Sequence, residues 1–219
     1  MVSSKPINAG FTLMEMLIVI AIMAILAAIA LPGMQRTVAT QRANNRADQL
    51  FSLFQFARAE AIRTNQPVLI CPTLIRKNAA TSNGCVNFED YDNGNGWQGF
   101  MAFNDKNMNG EYDDGDSAIR VVAVNQNADY KLGIKVNVCK SQTCTNIGGT
   151  HVLGFMPNGQ FGTGSGKDDW TIGQSNVVFQ INDVQYTDIT RRVVVTPSGK
   201  PLACYDKNGK NFSQCSLGI

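Results

Sequence analysis

The chain has 219 residues, 44% of them hydrophobic, with 19 basic and 17 acidic side chains and a net charge of +2. That is enough for one packed domain plus an anchor, and too little net charge to point to nucleic acid by itself. Twenty glycines among many Asn and Asp residues indicate a turn-rich β domain rather than a helical bundle.

Charge is unevenly placed. Glu89, Asp90, Asp92, Asp105, Glu111, Asp113, Asp114 and Asp116 form an acidic stretch in which Lys106 is the one base. From Arg191 onward the sign reverses, with Arg192, Lys200, Lys207 and Lys210 against Asp206. Blocks of one sign read first as solvated faces.

Residues 1–10 are a polar leader whose only charge is Lys5. The apolar run GFTLMEMLIVIAIMAILAAIALPG at 10–33 follows, long enough to cross a bilayer, which takes roughly 20 apolar residues. No small-residue cleavage boundary follows it, so the run is expected to stay in the mature protein. Lys5 before the span and a cysteine-bearing domain after it put the leader in the cytoplasm; Arg36, Arg42 and Arg46 argue the other way. One carboxylate, Glu15, lies inside the run, where a charge costs on the order of 2.5–3.5 kcal/mol at a helix centre and less near an end. Pro32 ends the apolar run and either stops the helix or kinks it. Beyond it Leu50, Phe54, Ala57 and Ala61 recur at helical spacing on one face, up to a stop near Asn65 and Pro67. The expectation is a stem helix over 11–66, its first half transmembrane and its second half packed on a domain.

From Val68 the periodicity changes to two. Segments 68–72, 97–103, 118–124, 131–138, 151–156, 176–181 and 191–197 read as strands bounded by turn residues. The fold class is therefore α+β: a long N-terminal helix packed on the antiparallel β-sheets of a globular domain, 67–219. Cys71, Cys85, Cys139, Cys144, Cys204 and Cys215 all fall in that domain, an even number consistent with disulfides and an oxidising compartment. Sequence proximity favours Cys71–Cys85, Cys139–Cys144 and Cys204–Cys215. Zinc is the rival reading, but there is no C-x-x-C pair and a single histidine, His151.

The head of the apolar run resembles the leader and N-terminal helix of type IV pilins and type II secretion pseudopilins. Gly10 matches the residue before the cut, Phe11 the N-methylated new N-terminus, Glu15 the buried glutamate of assembly and Pro32 the kinking proline. The segment GWQGFMAFNDKNMNGEYDDGDSAIRVV, with FMPNGQ and VVVTPSGK further on, resembles the GspH/FimT group. The match is close over the stem and loose over the domain, and residues near 125–150 and 205–219 lie outside it. The resemblance implies a pilin fold and a minor pilin processed by prepilin peptidase. It would be held in the inner membrane with its C-terminal domain periplasmic, joined to other minor and major pilins in the pilus, and would help to initiate assembly near the tip. A secretion pseudopilin is the alternative. Some members bind DNA through G-R-x-R; here the positions read Gly199-Lys200-Pro201-Leu202, one cation short. Arg191, Arg192, Lys207 and Lys210 would have to share a face with Lys200 to compensate.

Residues 105–116, DKNMNGEYDDGD, place Asp105, Asn107, Asn109, Asp113 and Asp116 at calcium-loop positions, with Gly110 at the sharp turn. Strands rather than helices flank them, so a self-capped hairpin competes with a calcium site. No nucleophile elbow is present, His151 opens an apolar strand, and GTGSGK at 162–167 departs from the phosphate-loop pattern and reads as a flexible loop. No other cofactor and no enzymatic activity are expected.

Overall fold

A computed structural model describes residues 11–75, 84–86, 88, 98–125, 131–148, 152–164, 169–205 and 213–217. The chain divides into two compact units, Met1–Val38 and Ala39–Ile219. A single helix, α1 (Leu13–Thr64), supplies residues to both.

In the first unit the described side chains from Phe11 to Val38 are all exposed. The apolar window has a mean hydropathy of 2.7 and none of it is buried, so by length and composition this part of α1 can cross a membrane. Pro32 lies within α1 and does not terminate it.

In the second unit α1 obeys a different rule. Ala39, Ala43, Ala47, Leu50, Phe54, Ala57 and Ala61 form one face, each 2% exposed or less. The spacing of three and four residues is that of a helix with one stripe turned inward. Three alanines at its start let the backbone approach closely. The helix closes at Thr64, whose hydroxyl donates to the Glu60 carbonyl at 2.8 Å, and Asn65 takes the left-handed conformation with φ 54°. Asn is one of the few side chains that tolerate this cap.

The helix packs on two antiparallel sheets. The first comprises β1 (Val68–Thr73), β2 (Gly99–Asn104), β3 (Ser117–Ala123), β6 (Val152–Phe155), β7 (Phe161–Gly164) and β8 (Trp170–Ile172), in the order β3-β2-β1-β6-β7-β8. The second comprises β4 (Leu132–Lys140), β5 (Thr143–Asn146), β9 (Asn176–Asp183), β10 (Thr190–Val195) and β11 (Pro201–Cys204), in the order β11-β10-β9-β4-β5. Alternation decides which side chains meet the helix. Val68 and Ile70 of β1, and Val193 and Val195 of β10, join the central core; Leu69 and Cys71, and Val194, turn to the opposite faces. Phe54 is the meeting point. Its ring stands 6.5 and 6.3 Å from Phe155 and Phe161 of the first sheet and 4.9 Å from Phe179 of the second.

All seven expected strands are present. β5, β7, β8 and β11 were not expected. β7 corrects the reading of 162–167 as a flexible loop: Gly162, Thr163 and Gly164 pair with Ile172, Thr171 and Trp170. Gly164 leaves room for the Trp170 indole, and Gly154 for Leu69 and the far edge of the same ring. A Cβ on Gly164 would lie 2.7 Å from the Trp170 ring, and one on Gly154 within 3.3 Å of it. Residues 165–168 of that segment lie outside the described residues.

Two hairpin turns of one design meet at α1. Met156-Pro157-Asn158-Gly159-Gln160 and Thr196-Pro197-Ser198-Gly199-Lys200 each close with a glycine N–H donating to the residue three before it, at 2.8 Å in both. Gly159 and Gly199 have φ of 79° and 77°. Arg58 joins the turns, donating from Nε to the Gly159 carbonyl and from Nη2 to the Ser198 carbonyl, both at 3.2 Å. The Phe161 N–H donates to the Pro197 carbonyl at 3.1 Å. There is no room for a side chain at the contact: a Cβ on Gly199 would fall 1.9 Å from the Gly159 carbonyl oxygen. Gly199→Ala is therefore expected to destabilise the protein by more than about 2 kcal/mol, combining left-handed strain with a backbone clash, as read by urea denaturation.

Candidate assembly site

The first candidate group lies at the head of α1. Phe11 is 80% exposed and Thr12 precedes the first helical residue. The Thr12 hydroxyl accepts from the Glu15 N–H at 3.2 Å, and the Thr12 carbonyl accepts from Met16 N–H at 3.2 Å. Thr12 and Glu15 have the spacing of a capping box, in which each side chain serves the other's backbone N–H. Thr12 was not singled out in the sequence, although T-x-x-E before an apolar run is the signal that finds it. Glu15 itself is exposed between Met14 and Met16 on an otherwise apolar surface. Four residues of helix separate it from Phe11 by about 6 Å along the axis. Gly10 lies outside the described residues.

Among the described residues, the basic candidates Arg191, Arg192 and Lys200 are not gathered in one place. Arg191 donates from Nε to Asn44 of α1 at 2.5 Å and from Nη1 to the Thr190 carbonyl. Arg192 is 8% exposed and donates to the Cys215 carbonyl at 3.2 Å, and burial lowers its pKa. Lys200 is exposed in the β10–β11 turn, at the other end of the hairpin. The length of β10, about 13 Å at 3.3 Å per residue, keeps Lys200 from Arg191. Lys207 and Lys210 lie outside the described residues.

The acidic loop between β2 and β3 is held by its own backbone. Asp105, 3% exposed, accepts from the Gly110 N–H at 2.9 Å and the Asn109 N–H at 3.2 Å. Burial pushes the Asp105 carboxyl up, and these N–H groups oppose the shift. Asp113 accepts from the Asn107 and Asn109 amides at 2.7 and 2.8 Å and from Gly115 N–H at 2.9 Å; the Gly115 N–H first, then the amides, hold its pKa down. Asp116 accepts from Lys106 N–H at 3.0 Å and from Asp113 N–H at 3.2 Å. No cluster of three or more His, Cys, Asp or Glu groups with metal-binding geometry occurs among the described residues.

The six cysteines form three bridges, Cys71–Cys85, Cys139–Cys144 and Cys204–Cys215. Each supports a small core on the outer face of a sheet. Cys71 and Cys85 pack with Leu69, Phe103 and Trp170; the other two pairs pack with Val178, Val194 and Leu217.

An exposed bilayer-length helix headed by Phe11 and Glu15, continuing into a one-sided stem beneath antiparallel sheets, defines a pilin-type subunit. Comparison supports this at two levels. The model of the prokaryotic N-terminal methylation motif matches residues 6–31, and that of the type II transport protein GspH matches residues 46–199. The chain belongs to the GspH family, with a prepilin-type N-terminus and the fold of structural pilins rather than of enzymes. Among solved structures, two crystal forms of the Pseudomonas aeruginosa (strain PAO1) type IV minor pilin FimU are similar. One shares 17% identity over 80% of this chain and 96% of that one, with a TM-score of 0.42. The other shares 17% identity over 78% and 98%, with a TM-score of 0.39. No curated protein gives a significant match.

Two outcomes follow for the domain. Asp105→Ala leaves two backbone donors without their acceptor and is expected to cost about 1–3 kcal/mol in urea unfolding. The second concerns Tyr205, which donates to the Asp48 carboxylate. Partial burial, then this hydrogen bond and the carboxylate charge, push the phenol up to about 12 from 10.0. The unfolded chain loses that proton first, so the contribution is whole below pH 10 and is lost as pH rises through the 10–12 window. Tyr205→Phe should flatten that part of the stability–pH curve, measured by denaturation at stepped pH.

Proposed function

We propose that the chain is a minor type IV pilin. It is made as a prepilin, cut between Gly10 and Phe11, N-methylated on Phe11 and held in the inner membrane by the apolar half of α1, with residues 67–219 in the periplasm. From there it enters the pilus and helps to start assembly at or near the tip. The observation that carries this reading is the apolar helix from Leu13 to Leu31, wholly exposed and bearing one carboxylate near its head. Such a surface needs lipid or neighbouring helices. The methylation motif over 6–31 supports the processing step. Membership of the GspH family, with the GspH/FimT resemblance, supports a subunit incorporated in few copies.

Cleavage would leave an ammonium on Phe11. In a stack of helices, Glu15 of one subunit would meet the Phe11 amine of the next. The pairing offsets the desolvation of both charges and sets axial register, the best-attested use of a buried ion pair. Thr12 would hold Glu15 at the first turn by capping.

Glu15→Ala is expected to insert and to be cleaved as the native chain is, but to be missing from sheared pili on immunoblotting. Normal incorporation would remove Glu15 from the assembly contact. The family description as a type II transport protein favours a second reading, a secretion pseudopilin with the same processing. Finding this subunit in purified pili supports the first reading. Its absence there, with loss of protein secretion on gene deletion, supports the second.

A further inference from the structure

A groove of about 730 Å³ lies within the second unit, between α1 and β11, the edge strand of the five-stranded sheet, which has no further strand partner among the described residues. Phe51, Gln55, Ala59 and Ile62 of α1 form one wall, and Pro201 and Ala203 of β11 form the other. A contiguous apolar patch with a polar rim marks an interaction site, where a lone exposed apolar side chain does not. Here Ile62 is 52% and the neighbouring Tyr205 43% exposed.

The edge has a defined polarity of donors and acceptors. Thr196 N–H donates to the Lys200 carbonyl at 3.0 Å, which makes that pair the first hydrogen-bonded rung of the hairpin. Rungs alternate along an antiparallel pair. With Val194 opposite Leu202 and Val193 opposite Ala203, the next bonded rung is at Leu202. The N–H and C=O of Ala203 therefore point away from β10, toward the groove side. Pro201, which has no N–H, faces the same side, so the edge offers an incoming strand the Pro201 carbonyl and both backbone groups of Ala203.

The charge on the rim is also polar. Arg58 and Lys200 lie at one end, and neither has a carboxylate within ion-pair distance among the described residues. Asp48, held by Tyr205, lies at the other. From Asp48 to Arg58 the helix runs about 15 Å, the length of roughly five extended residues. A phosphodiester backbone, negative throughout, would be attracted at one end and repelled at the other. An extended peptide with apolar side chains and a carboxylate at one end satisfies every feature.

We propose that this groove is a docking site for an extended protein segment, which adds a strand at Ala203, seats apolar side chains between α1 and β11, and places an acidic residue against Arg58 and Lys200. Addition of a strand to a free sheet edge is an established way of binding peptides. The proposal does not depend on incorporation of the chain into a filament.

The test uses the full chain in lipid nanodiscs and fluorescein-labelled peptides followed by anisotropy. The probes are Val-Thr-Val-Thr-Val carrying Asp-Glu at either end and the matching Lys-Lys peptides. One acidic peptide is expected to bind at least ten-fold more tightly than its lysine counterpart. Lys200→Glu, a change at an exposed turn, should reverse that preference. Ala59→Phe, which fills the groove from the helix surface, should weaken binding at least ten-fold with an unchanged thermal melt. Absence of binding by all four peptides, equal binding of acidic and basic forms, or an unchanged preference in Lys200→Glu would each overturn the proposal. Displacement of the acidic peptide by decathymidylate would make the cations a phosphate site and would overturn it as well.

Discussion

The domain depends on Phe54. One helical ring reaches Phe155 and Phe161 from one sheet and Phe179 from the other, so the two sheets are joined through the helix. Full burial of such a ring contributes about 1.5–3 kcal/mol by area, and each tilted or edge-on aromatic pair adds about 0.5–1.5 kcal/mol. The small residues on either side, Ala47 and Ala57, allow the backbone close enough for the ring to reach both layers. The turns clamped by Arg58 then fix the strand ends at the same helix face, where Gly159 and Gly199 touch.

The same helix serves two solvents by two patterns. From Leu13 to Leu31 it is apolar all round save for Glu15, which suits lipid or other helices. From Ala39 to Ala61 it is apolar on one stripe, which suits a sheet beneath and water above. The change of pattern is a property of composition, and it occurs without a break in the helical backbone at Pro32. Anchor and domain support thus draw on one helical segment of sequence, with Thr12 capping its start and Asn65 its end.

Much of this was legible in the residues. The bilayer-length run, the stripe at Leu50, Phe54, Ala57 and Ala61, and seven strands follow from periodicity alone. The stripe extends to Ala39, Ala43 and Ala47, which composition hides because alanine carries little hydrophobicity. The four further strands were hidden for other reasons. β5 is short and mostly exposed, β8 is short and partly exposed, β11 opens on proline, and β7 reads FGTG, a pattern of turns until Trp170 is seen to lie over Gly164. At the candidate site, Phe11 and Glu15 were legible because they are local to one motif. The separation of Lys200 from Arg191, and the inward commitment of Arg192 to Cys215, arise from strand pairing across distant segments. Residue types do not disclose them. Arg58 escaped notice for the same reason, although the repeated P-x-G turns that it joins are visible in the sequence.

The three disulfides share a property with a kinetic meaning. Their separations are 14, 5 and 11 residues, and each cysteine bonds to its immediate neighbour in the cysteine series. A chain that emerges from its N-terminal end exposes each thiol together with its correct partner before any competitor appears. Oxidation can thus proceed in step with emergence, with little reshuffling to correct. The cysteines gather in clusters of their own outside the central core, so the packing around Phe54 includes none of the groups that must be oxidised.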